Sequence, residues 1–125
     1  MLSGVVTPDL EARVALEVVG EHGQSEQVQA TIDTGFDGWL TLPLALVQRL
    51  RLPSYGQERG VLADGSERTF DLYLVQVEVG SERRAALVAA AEGGPLVGMS
   101  LLTGLRLTIE VIEGGHVQLD PIGGR

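Results

Sequence analysis

Asp33, Thr34 and Gly35 stand together where an alternating apolar run through Val28, Ala30 and Ile32 ends. A carboxylate in such a place can give or take a proton. A neighbouring hydroxyl can brace the loop, and a glycine lets the backbone turn sharply or be closely approached. Side chains alternate faces along a strand, so Ile32 points into a core and Asp33 points the other way. The triplet alone is weak, since ordinary residue usage produces it by chance in about one chain in fifty of this length. Its position at the end of a buried strand makes it a candidate reaction centre. Other chemistries find less support. His22 and His116 each lie beside a glycine in a turn, with no second ligand at metal spacing, and read as surface histidines. Ser100 has no positioned base. No glycine-rich phosphate loop follows a strand and opens a helix. Arg83-Arg84 reads as a solvated pair at a turn, and Phe36 and Trp39 read as packing residues.

The totals bound the remaining possibilities. At 125 residues the chain fits one domain with a real core, taken as 1–125 with tails at 1–8 and 121–125 that are flexible or lie at a dimer interface. Hydrophobic residues make up 44% and charged residues 21%, which excludes a disordered chain. The net charge of −8 leaves no basic stripe for a phosphate backbone or an anionic membrane, so neither nucleic acid nor membrane is expected as a partner. The absence of cysteine excludes disulfides, thiol nucleophiles and thiolate metal sites. With no signal-like N-terminus and no long apolar run, the expected location is cytoplasmic.

The elements that must position Asp33 are mostly strands. Ala12, Val14, Leu16 and Val18 share one face of a strand over 11–19, and a glycine-containing turn leads to a second strand from about 26 into Asp33. Trp39 to Leu42 is a short strand. Pro43 suits a helix start, and Leu44, Val47 and Leu50 recur at helical spacing up to Pro53. From 55 to 79 the pattern is a long hairpin with Ala63-Asp64-Gly65-Ser66 at its tip, where Asp-Gly suits a type I′ turn. Beyond the tip the apolar parity switches from Phe70, Leu72 and Leu74 to Val75, Val77 and Val79. That requires a bulge or cover on both faces. Strands over 85–91, 95–98, 105–111 and 117–119 follow, with a helical turn over 99–103. The sum is an all-β domain with one short helix near 43–51.

Ala30-Thr31-Ile32-Asp33-Thr34-Gly35-Phe36, the Asp64-Gly65 tip, and Leu96-Val97-Gly98 before a helical turn resemble, in that order, the retropepsin-like aspartic proteases. The likeness covers about residues 11 to 120, and the Asp-Thr-Gly-Phe form is similar to the small prokaryotic branch of that clan. The resemblance implies a closed, β-barrel-like acid protease fold, a flap hairpin over a cleft, and a homodimer with one catalytic aspartate per subunit acting on a peptide or protein substrate. It calls for no metal and no cofactor. Two close carboxylates cannot both ionise comfortably, so a pair holds one proton and divides into base and acid. One Asp-Thr-Gly per chain then needs a two-fold axis to supply the second Asp33.

By the resemblance, Asp33 is the catalytic carboxylate. Thr34 bonds across the dimer axis, Gly35 lets its backbone approach the substrate or the other carboxylate, and Gly98 permits close packing behind the loop. Ala63, Asp64 and Gly65 form the flap tip that closes over a peptide. One departure stands out. Retroviral members follow the glycine with an arginine that pairs with an acid just past the triplet, whereas this chain has Met99 and Ser100 there. Asp37 thereby loses its expected partner, for which Arg106 is a candidate replacement. The rival expectation is a non-catalytic dimerisation or peptide-binding module on the same fold.

Overall fold

A computed structural model describes residues 2–123. Its elements are β1 (Leu2–Val6), β2 (Ala12–Val19), β3 (Ser25–Ile32), β4 (Leu40–Leu42), α1 (Leu44–Arg49), β5 (Ser54–Val61), β6 (Glu67–Val79), β7 (Glu82–Ala90), β8 (Leu96–Val97), β9 (Leu105–Ile109) and β10 (His116–Pro121). They form one sheet in the order β5-β6-β7-β4-β8-β3-β2-β1-β10-β9. A further pairing of β6 with β2 closes the middle of that sheet into a ring. The pairs β3–β8 and β4–β7 are parallel, and the others are antiparallel.

Alternation explains the ring. Val14, Leu16 and Val18 of β2 and Val28, Ala30 and Ile32 of β3 are buried, while their neighbours in sequence are less so. Val75, Val77 and Val79 of β6 and Ala86 and Val88 of β7 fill the ring from the opposite side. Each valine, leucine or isoleucine among them, withdrawn from water, contributes on the order of 1.5–3 kcal/mol. No polar or charged residue is buried among the described residues. None of their helices is long and apolar enough to cross a membrane.

The expected helix is present as α1, with Pro43 as its N-cap. The stretch 99–103 is a run of turns rather than an α-helix, held by Leu102 N–H to Met99 O at 3.1 Å and Leu105 N–H to Leu102 O at 3.0 Å. The parity switch in β6 has a specific cause. Its register against β7 runs unbroken from Leu72 to Val79, so β6 carries no bulge there and is covered on both faces. The irregularity lies instead in β5, between Ser54 and Gly56.

The expected N-terminal tail is strand over part of its length. Residues 2–6 form β1, which pairs with β2 on one side and with β10 on the other. At the other end Pro121 completes β10, and Ile122 N–H donates to Gly104 O at 3.0 Å. Positions 1, 124 and 125, part of the expected tails, lie outside the described residues.

Candidate active site

Asp33 follows the last residue of β3 and is half-buried. Its backbone N–H donates to Val97 O in β8 at 2.9 Å, so the parallel pair β3–β8 carries the residue to the sheet's end. The Asp33 carbonyl accepts from Phe36 N–H at 3.1 Å, closing a tight turn. Its Oδ1 accepts from Gly35 N–H at 3.0 Å. That bond fixes the carboxylate's orientation, and Oδ2 accepts no hydrogen bond within the chain among the described residues. A Cβ at Gly35 would stand 3.3 Å from Asp33 Oδ1, a tight contact that glycine avoids.

The loop from Asp33 to Trp39 is pinned to the chain after β8. Gly98 N–H donates to Trp39 O at 3.0 Å, Met99 N–H to Phe36 O at 2.8 Å, and Ser100 N–H to Gly38 O at 3.0 Å. Ser100 Oγ also donates to Asp37 O, so this hydroxyl is a structural tie. A Cβ at Gly98 would collide with the Gly38 carbonyl and stand 2.7 Å from Phe36 Cδ2. Close backbone approach behind the loop thus requires glycine at 98. No salt bridge joins Asp37 to Arg106 among the described residues; Arg106 lies on β9 opposite Asp120. The Met99–Ser100 backbone and the Ser100 hydroxyl fix this loop instead.

Arg84 corrects a sequence expectation. Its side chain is only 17% exposed. Nη1 donates to Leu101 O and to Thr103 O, each at 2.7 Å, while Nη2 meets Glu82 at 3.1 Å. A guanidinium from β7 therefore satisfies the carbonyls of the turns that back the Asp33 loop. Arg83 alone is the solvated member, paired with Glu78 at 2.7 Å. Nothing local in the Arg83-Arg84 dipeptide distinguishes the two.

Two adjoining cavities of about 280 and 450 Å³ lie between this loop and the β5–β6 hairpin. Phe36, Asp37, Glu58, Leu72 and Ala89 line both, making one cleft whose 280 Å³ lobe, on the Trp39 side, is called the inner lobe and whose 450 Å³ lobe, on the Leu62 side, the outer lobe. Leu72 and Ala89 belong to the second covered face of β6 and β7. Trp39 lines the inner lobe while packing on the core, and Phe36 lines both lobes, so these two aromatics belong to the cleft as well as to packing. A second groove of about 470 Å³ shares Asp37 and Ser100 with that cleft and is lined further by residues that include Thr34, Met99, Leu105 and Leu107. Thr34 is exposed there, and its hydroxyl has no hydrogen-bond partner among the described residues.

Ala63, Asp64 and Gly65 do form the hairpin tip, though not as a two-residue type I′ turn. Only Gly65 has positive φ, at 84°, with Gly65 N–H bonded to Leu62 O at 2.9 Å and Leu62 N–H to Ser66 O at 2.8 Å. This is a three-residue loop with a left-handed glycine. Asp64 Oδ1 accepts from Ser66 N–H at 2.9 Å and Ser66 Oγ at 2.6 Å, and these bonds hold its carboxyl below the ordinary carboxylate range. Neither Ala63, Asp64 and Gly65 nor Asp33 itself lines either lobe of the cleft. The cleft is lined on the hairpin side by Glu58 to Leu62, ending at the residue before the tip. His22 and His116 are exposed, and no group that could hold a metal occurs among the described residues.

No protein-family model matches the chain, and no curated protein matches it. A solved structure does. The crystal structure of a retropepsin-like aspartic protease from Rickettsia conorii superposes with a TM-score of 0.55, covering 94% of this chain and 89% of that one at 13% identity. The two chains share a fold. At that identity the likeness does not extend to the branch of the family or to the chemistry.

Proposed function

We propose that this chain is an aspartic endopeptidase of the small Asp-Thr-Gly-Phe type, with its active site completed by a second copy of itself. The observation that carries this reading is Asp33. It is half-buried at a strand end, oriented through Oδ1 by Gly35, and has Oδ2 free, on a fold shared with an aspartic protease. Two such carboxylates across a two-fold axis share one proton between them. The ionised member takes a proton from water, whose oxygen attacks the peptide carbonyl carbon, while the protonated member gives its proton to the carbonyl oxygen. Breakdown of the tetrahedral adduct passes the pair's proton to the leaving nitrogen as the C–N bond breaks, while a hydroxyl of the adduct returns its proton to the pair and becomes the C=O of the new carboxyl group. The hairpin tip of Ala63, Asp64 and Gly65 serves as the flap that shields this step from bulk water.

Two features support pairing on this side of the molecule. The outer edge of β9 has no strand partner among the described residues, and an unpaired edge is a template for another strand. The groove holding Thr34 runs from the Asp33 loop to that same β9. The test is replacement of Asp33 by Asn with cleavage of a peptide library followed from acidic to neutral pH. Loss of cleavage with an unchanged circular dichroism spectrum is expected, and equal cleavage by the variant overturns the assignment. A second reading, a non-catalytic dimerisation or peptide-binding module, draws on Asp37, whose carboxylate lacks the arginine found in retroviral members. It predicts peptide binding without cleavage by the native chain.

A further inference from the structure

The cleft beneath the hairpin has an uneven chemistry that singles out Glu58. Register pairs Glu58 with Phe70 and the preceding Gln57 with Asp71. Paired residues share a face of the hairpin, so Glu58 and Phe70 turn to the cleft, whereas Gln57 and Asp71 bond to each other at 2.9 Å on the other face. Phe36, Trp39, Leu72 and Leu87, all half-buried, give the inner lobe its apolar lining beside Ser100. Its charged lining consists of Asp37 and Glu58, both exposed at the rim and neither in a salt bridge among the described residues. The one cationic residue of the cleft, Arg59, lines only the outer lobe toward Val61 and Leu62.

An apolar lining beside two carboxylates matches a side chain with a hydrocarbon stem and a cationic head. Lysine and arginine lay their methylenes along apolar surface and keep the charge at the water boundary. A neutral polar side chain would leave that lining poorly covered, and an acidic one would meet two like charges. We propose that the inner lobe is a specificity pocket for a lysine or arginine side chain of an extended peptide, with Glu58 as the specificity-determining residue. The inference rests on the reading of the protein as a peptide-acting enzyme.

Binding is measured separately from cleavage to keep the two apart. Fluorescent hexapeptide pools, each carrying Lys, Arg, Gln, norleucine or Glu at one scanned position, are titrated by anisotropy against the full chain bearing Asp33→Asn. One position is expected to favour Lys and Arg over Gln. Adding Glu58→Gln should cut that preference about five-fold, the upper range for a solvent-exposed ion pair. Adding Glu58→Lys should shift the preference to Glu, and raised salt should flatten it in every case. Glu113→Gln, in the turn between β9 and β10, is the control that leaves the preference in place. A preference untouched by either Glu58 substitution, no basic preference at any position, or no binding of any pool overturns the proposal. A Glu58-dependent preference in a chain whose native form cleaves nothing keeps the pocket and removes the peptidase reading.

Discussion

The packing behind the candidate catalytic loop depends on one missing methyl group, and Gly98→Ala supplies it. The new Cβ would collide with the Gly38 carbonyl, stand 2.8 Å from its carbon, and stand 2.7 Å from Phe36 Cδ2. The ring cannot simply swing toward Gly38, where a Cβ would already lie 2.6 Å from Phe36 Cε1. The Gly38 carbonyl cannot retreat freely either, because it accepts the Ser100 N–H at 3.0 Å. Overpacking of this kind costs about 1–3 kcal/mol, and loosening one of the three loop-to-loop hydrogen bonds adds about 1 kcal/mol. Reduced freedom of the unfolded chain returns about 0.4–1 kcal/mol, since Gly98 is not in the left-handed region. The net is a loss of about 1–3.5 kcal/mol, or roughly 4–14 °C in Tm for a domain of this size. Gly94→Ala is the control, because nothing lies within 4 Å of its Cβ position and its φ is not positive. Thermal melts by circular dichroism read both variants. If Gly98→Ala melts with Gly94→Ala, the close approach that fixes the Asp33 loop is not a constraint on this protein.

Removing the Arg84 guanidinium with Arg84→Met should destabilise the chain by about 1–3 kcal/mol, through the two carbonyls of Leu101 and Thr103 left without their donor. Hydrogen exchange should show the loss concentrated in the amides of residues 102–105, and uniform exchange across the sheet would contradict the tie. At the hairpin tip, Asp64 has a folded-state pKa below its ordinary 3.8. Its contribution to tip order is therefore complete above that ordinary value and is lost as pH falls through the lowered one. The Ser66 amide resonance should titrate with a midpoint under 3.8, and a midpoint at or above it would contradict the Asp64–Ser66 bonds.

Local pattern carried the strands that line the core and little that crosses between them. β2 and β3 show in the sequence because one face of each is buried and the period of two survives intact. The helix α1 shows because Pro43 and the Leu44, Val47 and Leu50 spacing agree. β1 does not, since Ser3 and Gly4 break its apolar run and its pairing with β10 spans more than a hundred residues. Gly4 itself is a packing position, where a Cβ would collide with the Arg13 carbonyl. Within the site, Asp33 and Gly98 were legible from strand-end position and order along the chain. Arg84 was not, because its partners lie 17 and 19 residues away. Glu58 was not either, because its role depends on which face of the hairpin meets the cleft, and the irregularity between Ser54 and Gly56 intervenes.

The account rests on two copies of Asp33 acting as one site. Native chain and Asp33→Asn chain, refolded together in equal amounts, test that directly. A site built from both copies leaves about one quarter of the activity of the same total of native chain, because only native–native pairs carry two carboxylates. About one half would remain if each Asp33 worked alone, and that result would contradict the shared site.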